Sequence, residues 1–122
     1  MYQIVFYTDI KGISEVEIYL QTLSKKRYQN KDAKIKFTKI VSYIDLLAEK
    51  GLALGEPYIK YLRENIWELR PLRDRILFAC LENNKFILLH YFMKQTQKTP
   101  LREIEKAKRY LKDYIIRGDK NG

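Results

Sequence analysis

Two apolar runs, Arg75 to Leu81 and Phe86 to Met93, are separated by little more than Asn83-Asn84. Nothing else in the chain constrains the fold as much. Runs rich in branched and aromatic residues read as strands, and asparagine tolerates the positive φ that a two-residue hairpin turn needs. Such a turn pairs Glu82 with Lys85, sets Leu77 opposite His90 and sets Arg75 opposite Phe92. Opposed residues share a face of the sheet. One face then carries Ile76, Phe78, Cys80, Ile87, Leu89 and Tyr91. The other carries Arg75, Leu77, Ala79, Leu88, His90 and Phe92. A slip of one residue would exchange the two sets.

The flanking segments supply cover for that hairpin. Tyr2 to Tyr7 reads as a strand, and Thr8 to Ser14 as a turn broken by Gly12, with Ser14 a helix N-cap. Val16, Tyr19, Leu20 and Leu23 follow at helical spacing. The basic stretch Ser24 to Asp32 either continues this helix or breaks it. Ala33, Phe37, Ile40, Val41, Ile44, Leu47 and Ala48 form the stripe of a second helix, which Gly51 ends. Gly55 and Pro57 mark a loop. Tyr58 to Leu62 leads into Ile66 to Arg70, with Glu64-Asn65 as the turn. Thr99 as N-cap and Pro100 at the first helical position open a last helix. Its apolar stripe is Ile104, Ala107, Leu111, Tyr114 and Ile115, and it ends at Gly118, leaving a frayed tail. The expected architecture is a single α+β domain over residues 1–122, in the order β-α-α-β-β-β-α. Its sheet is mainly antiparallel, with a helix hairpin on one face and a basic C-terminal helix.

The positive charge is unevenly placed. Residues 1–57 hold 9 Lys/Arg against 7 Asp/Glu, whereas 58–117 hold 14 against 7, within an overall net charge of +9. Such a field suits nucleic acid, an anionic membrane or an acidic protein, and it also suits plain solubility. No apolar run approaches the length of a membrane span, and the N-terminus lacks a basic-then-apolar signal pattern. Cys80 is the only cysteine and sits in an apolar run, where packing is its expected role. With one His and one Cys, neither a thiolate metal site nor a cofactor is implied. No glycine-rich phosphate loop and no serine at a strained glycine-flanked turn occurs.

RNA cleavage remains chemically open. The ribose 2′-OH is a nucleophile that the substrate brings with it. The protein has to align it, take its proton, stabilise the phosphorane and help the 5′-oxygen leave. Arginine holds two phosphate oxygens in a planar fork. Lys60, Arg70, Arg73, Arg75, Lys94 and Lys98 are the candidate cations. His90 is the one candidate with a near-neutral pKa; a structural histidine in an apolar strand is the alternative. Trp67 is a candidate for stacking on a base, with core packing as its alternative.

Several of these residues also match a known pattern. Trp67-Glu68-Leu69-Arg70, Arg75, Leu88-Leu89-His90, Phe92-Met93-Lys94, Thr96-Gln97-Lys98-Thr99-Pro100, Glu103-Ile104 and Ala107 resemble the HigB-like, phage-derived branch of the RelE/ParE toxins. The resemblance spans roughly residues 58–115. It implies a RelE-like fold and a bacterial cytoplasmic toxin of a type II toxin–antitoxin pair that cuts mRNA on the ribosome without a metal ion. It also implies a cognate antitoxin, HigA-like with a helix-turn-helix, in a hetero-oligomeric complex. By position, Arg75 falls on the arginine set against the scissile phosphate. Lys94 falls on the first lysine of a Lys-Lys pair, and Lys60 on a lysine before the Glu-Leu-Arg strand. Gln95 stands where the second lysine is common. Arg70 is the motif arginine, and a tie to Glu68 or Asp74 is its structural alternative. Tyr110 and Tyr114 lie too far along the last helix to match the catalytic tyrosine of RelE. A gyrase poison of ParE type and a non-catalytic RNA-binding module are the competing functions.

Overall fold

The computed structural model describes residues 1–118, so the tail expected to fray falls, at 119–122, outside the described residues. The elements are β1 (Gln3–Phe6), α1 (Glu15–Lys26), α2 (Lys31–Lys50), a 3-10 turn (Gly51–Leu54), β2 (Ile59–Arg63), β3 (Ile66–Leu69), β4 (Asp74–Leu81), β5 (Lys85–Met93) and α3 (Leu101–Arg117). They form a five-stranded sheet in the order β1-β5-β4-β3-β2, parallel only between β1 and β5. The fold is α+β, as expected. Four strands rather than three follow the helix pair. Glu64 and Asn65, at φ 50° and 65°, make a tight turn that separates β2 from β3.

The central hairpin departs from the expected register in a specific way. Leu81, not Glu82, pairs with Lys85, and Asn83 and Asn84 both sit at positive φ in a turn one residue longer. A bulge then absorbs the extra residue. Phe78 pairs with Leu88 and Leu77 with His90, so Leu89 has no residue of its own opposite. Beyond the bulge the expected pairs Leu77–His90 and Arg75–Phe92 stand. Between turn and bulge the faces are exchanged. Phe86 and Leu88 pack under the helix hairpin, while Ile87 and Leu89 face the other way.

Each helix end has a local cause. Ser14 Oγ accepts the Glu17 amide at 3.1 Å, and Asn30 Oδ1 accepts the Ala33 amide at 3.0 Å. The basic stretch does both things expected of it: it carries α1 to Lys26 and then breaks ahead of the Asn30 cap. At the start of α3 the geometry differs from expectation. Pro100 occupies the cap position without a side-chain hydrogen bond, and the Thr99 hydroxyl is used elsewhere.

The helices divide the core in two. Val16, Leu23, Ala33, Ile40 and Leu47 of α1 and α2 meet Ile76, Phe78 and Leu88 on one side of the sheet. Helix α3 lies on the opposite side, where Ala107, Tyr110, Leu111 and Tyr114 cover Leu77, Ala79, Ile87 and Leu89. Ile115, expected in its apolar stripe, is 62% exposed. Polar ties fix α3 to the N-terminal segment. Tyr7 donates to Asp113 Oδ2 at 2.5 Å, and Arg117, paired with Asp113 within α3 at 2.8 Å, donates to the carbonyl of Thr8. Tyr110 donates to Glu15, which also pairs with Lys106 at 3.1 Å. Burial and the Asp113 carboxylate push the Tyr7 pKa up to about 12, so its hydroxyl stays a donor. No helix among the described residues is long and apolar enough to cross a membrane.

Gly51 joins α2 to the sheet edge. Its φ is 60°, its amide donates to Leu47 O, and a Cβ there would stand 2.5 Å from the Tyr2 ring. That ring packs on Phe86 with centroids 5.1 Å apart, so it has little room to give. Gly51→Ala is expected to lower stability by about 1–3 kcal/mol in a denaturant titration. An unchanged midpoint would mean that Tyr2 moves aside freely.

Candidate nucleic-acid interface

The site grows from one buried acid. Glu68 is 2% exposed on β3, opposite Leu77 of β4 and Lys60 of β2. A carboxylate in that position needs partners, because burial without them costs several kcal/mol. It has three. Arg70 Nε lies 3.4 Å and Arg75 Nε 3.9 Å from Oε1, and the Thr99 hydroxyl donates to Oε2 at 2.5 Å. The motif arginine Arg70 is therefore tied to Glu68 rather than to Asp74. Thr99 ends the basic segment after β5, so Glu68 also anchors that segment across the sheet.

Arg75 does not have the place expected for it. Its side chain is 8% exposed, and Nη1 donates to Leu72 O and Asp74 O, both at 2.9 Å. Leu72 sits at φ 57°, which costs a bulky residue about 1–2 kcal/mol. Arg75 thus braces the strained turn between β3 and β4 instead of presenting its fork to a phosphate. Desolvation lowers its pKa, and Glu68 counters that shift. The turn it braces carries Arg73, which is exposed. Arg73 Nη2 donates to Lys94 O at 3.1 Å, and the Lys94 amide donates back to Arg73 O at 2.7 Å. Lys94 Nζ reaches Gln97 Oε1 at 3.4 Å, and Gln95 is exposed.

An open groove of about 670 Å³ lies between edge strand β2 and the segment leading into α3. Lys60, Tyr61, Leu62 and Arg63 form one wall, and Thr96, Lys98, Thr99 and Pro100 the other, with Leu101 and Ile104 beside them. Lys60 and Lys98 are exposed there, and neither takes part in an ion pair among the described residues. Arg63 is engaged by Glu105 at 3.5 Å. The structure thus brings Lys60 and Lys98 into one groove, sets Arg73 beside Lys94 at the neighbouring turn, and holds Arg70 and Arg75 beneath.

Two expected contacts lie elsewhere. Trp67 packs against Phe78 and Tyr61 on the helix-hairpin side of the sheet, away from Glu68. It is partly buried there. His90 has no exposed surface. Its Nε2 is 3.0 Å from the Glu103 carbonyl, which can only accept, so the proton sits on Nε2. Nδ1 then has no hydrogen-bond partner and lies 4.0 Å from Glu103 Oε1. Burial lowers the His90 pKa, so the ring is neutral and inaccessible rather than an acid or base for substrate. Sequence reasoning missed Thr99 as the partner of Glu68. The signal was there in part, since a glutamate inside an apolar strand has to find donors.

Breaking the Glu68 cluster should be costly. Arg75→Ala is expected to lose about 3–5 kcal/mol of stability in chemical denaturation, with Arg75→Lys recovering part of it. A loss below about 1 kcal/mol would mean that Arg75 is dispensable to the fold. His90 gives a pH signature. The native pKa lies below the ordinary 6.5, so the unfolded chain binds a proton first, and stability falls as pH drops from 6.5 towards the native value. His90→Gln should flatten that fall by up to about 1.4 kcal/mol per pH unit; equal slopes in both proteins would contradict it.

A family profile described as phage derived protein Gp49-like (DUF891) matches residues 18–112, from the first turn of α1 to the last third of α3. A search of curated proteins gives no match. With most of its length matched, β2 to β5, the groove and α2 included, the chain belongs to the Gp49-like phage-derived family, a toxin-like family of RelE/HigB type.

Proposed function

We propose that this protein is the toxin of a type II toxin–antitoxin pair and acts as a ribosome-dependent endoribonuclease. The observation that carries this reading is the groove itself. Lys60 and Lys98 both line it without carboxylate partners among the described residues, and the exposed Arg73 stands at the turn beside Lys94. Unneutralised ammonium groups on opposed walls suit a phosphodiester chain laid between them. In the reaction proposed, the ribose 2′-oxygen attacks phosphorus and passes its proton to water. The bond to the 5′-oxygen breaks, and that oxygen takes a proton from water and leaves as a hydroxyl, giving a 2′,3′-cyclic phosphate and a new 5′ end. Lys60, Lys98 and Arg73 balance the charge that gathers on the non-bridging oxygens, while Lys94 and Gln95 shape the segment beside them. Arg75 contributes indirectly, by bracing the turn on which Arg73 stands. The toxic activity would be held in check by an antitoxin that binds this chain in a hetero-oligomer.

The reading is tested by inducing the protein in a bacterium and mapping mRNA ends. Growth arrest with cuts that vanish when translation is blocked is the expected result. Lys60→Ala with Lys98→Ala is expected to reduce cleavage at least about a hundredfold while the folded protein persists in circular dichroism. Arrest with DNA breaks and an SOS response, or a folded protein that arrests nothing, would overturn it.

A further inference from the structure

A second basic surface lies at the tip of the helix hairpin, apart from the groove. Lys25, Lys26, Arg27, Lys31 and Lys34 stand there against one acid, Asp32. The four lysines are exposed, and none of the five cations takes part in an ion pair among the described residues. Between them Tyr28 is 80% exposed. A tyrosine that buries so little adds little to the core, and this one packs against its neighbour in sequence. The Arg27 guanidinium lies 4.7 Å from its ring centroid, and Nη2 donates to its hydroxyl at 2.7 Å. The same guanidinium donates to Ser24 Oγ and lies 5.0 Å from the Phe37 ring centroid, which ties it to α2. The result is an exposed aromatic face, held by a cation and flanked by free ammonium groups. A shallow concavity of about 410 Å³ joins Tyr28 to Lys31 and Lys34.

Away from its tip, the helix hairpin is tied to the sheet. Lys36 Nζ donates to the Tyr19 hydroxyl at 3.3 Å, and that hydroxyl donates to Asp74 Oδ1 at 2.9 Å. Asp74 follows Arg73 directly, so the hairpin is tied to the turn that carries the exposed arginine.

We propose that this tip is a second RNA contact, in which a base stacks on the free face of Tyr28 while flanking phosphates meet Lys31 and Lys34. Charge alone would attract an acidic protein or an anionic membrane equally well. The exposed ring among cations favours RNA, because an open aromatic face beside ammonium groups is what an unpaired base and its phosphates meet. The contact needs no chemistry in the groove.

The test uses the full chain carrying Lys60→Ala and Lys98→Ala, so that the groove is silenced and the tip is read by itself. Fluorescence anisotropy with a labelled oligouridine of about 12 nucleotides reports affinity across a salt series. Binding should persist in this background. Adding Lys31→Glu and Lys34→Glu is expected to weaken it at least about tenfold and to reduce the salt slope by about 1.4, two contacts at roughly 0.7 each. Tyr28→Ala should weaken it about tenfold, while Tyr28→Phe, which keeps the π face, should stay within about twofold of the parent. The three tip positions changed, Tyr28, Lys31 and Lys34, are solvent-facing, and unchanged thermal midpoints would separate a binding defect from a folding one. Affinity unaltered by both the charge reversals and Tyr28→Ala would overturn the proposal. So would tip variants that lose binding to phosphatidylserine vesicles or to a polyglutamate peptide but not to RNA. Undiminished mRNA cleavage by the Lys60→Ala, Lys98→Ala protein, with tip binding intact, would count against the groove reading alone.

Discussion

A single carboxylate under the sheet surface decides how the positive half of this chain is arranged. Glu68 is almost wholly buried and takes Arg70, Arg75 and the Thr99 hydroxyl as its partners. Two guanidinium groups this close would repel each other without it. With it they become internal struts, and the cations left over are pushed outward. Arg75 spends its remaining donors on the carbonyls of Leu72 and Asp74, which holds Leu72 in its left-handed conformation. The Thr99 bond fixes the end of the segment that carries Lys98. Groove, turn and helix start are thus consequences of satisfying one buried charge.

That division of labour changes how the arginines are read. A motif of alternating arginines on a strand looks, in one dimension, like a row of phosphate ligands. In three dimensions the sheet sorts them by depth. The ones nearest the acid are internal, and the ones on the edge strand, the turn and the connecting segment remain in water. Lys60, Lys98 and Arg73 fall in the second group. Mutational loss of function at Arg70 or Arg75 would therefore report on the frame as much as on the chemistry. Loss at Lys60 or Lys98 reports on the groove.

The order of elements was legible because its signals are local. Gly51, Ser14 and the Glu64-Asn65 turn each announce a boundary through their own backbone preferences. Register was legible only at one end of the central hairpin. Asn83-Asn84 marks the turn correctly, yet two asparagines fit a turn of either length, and periodicity cannot see a bulge at Leu89. So Leu77 and Arg75 were matched to their true partners while Ile87 and Leu89 were assigned to the wrong face. The site was legible in composition and not in depth. His90 and Arg75 have the right chemistry for catalysis, and burial removes both from solvent. His90 is buried by α3 crossing the far face of the sheet, and Arg75 by the Glu68 cluster and the turn at Leu72; no window of sequence around either residue encodes those contacts.

The electrostatic frame is thus the central claim, and a double-mutant cycle measures it directly. Glu68→Gln and Arg75→Met, singly and together, are compared in chemical denaturation. A coupling free energy of about 1.5–3 kcal/mol between the two positions is the result expected of a shared buried network. A coupling under about 0.5 kcal/mol, with each single change tolerated, would mean that the acid and the arginine act independently, and the arrangement described for the positive face would not hold.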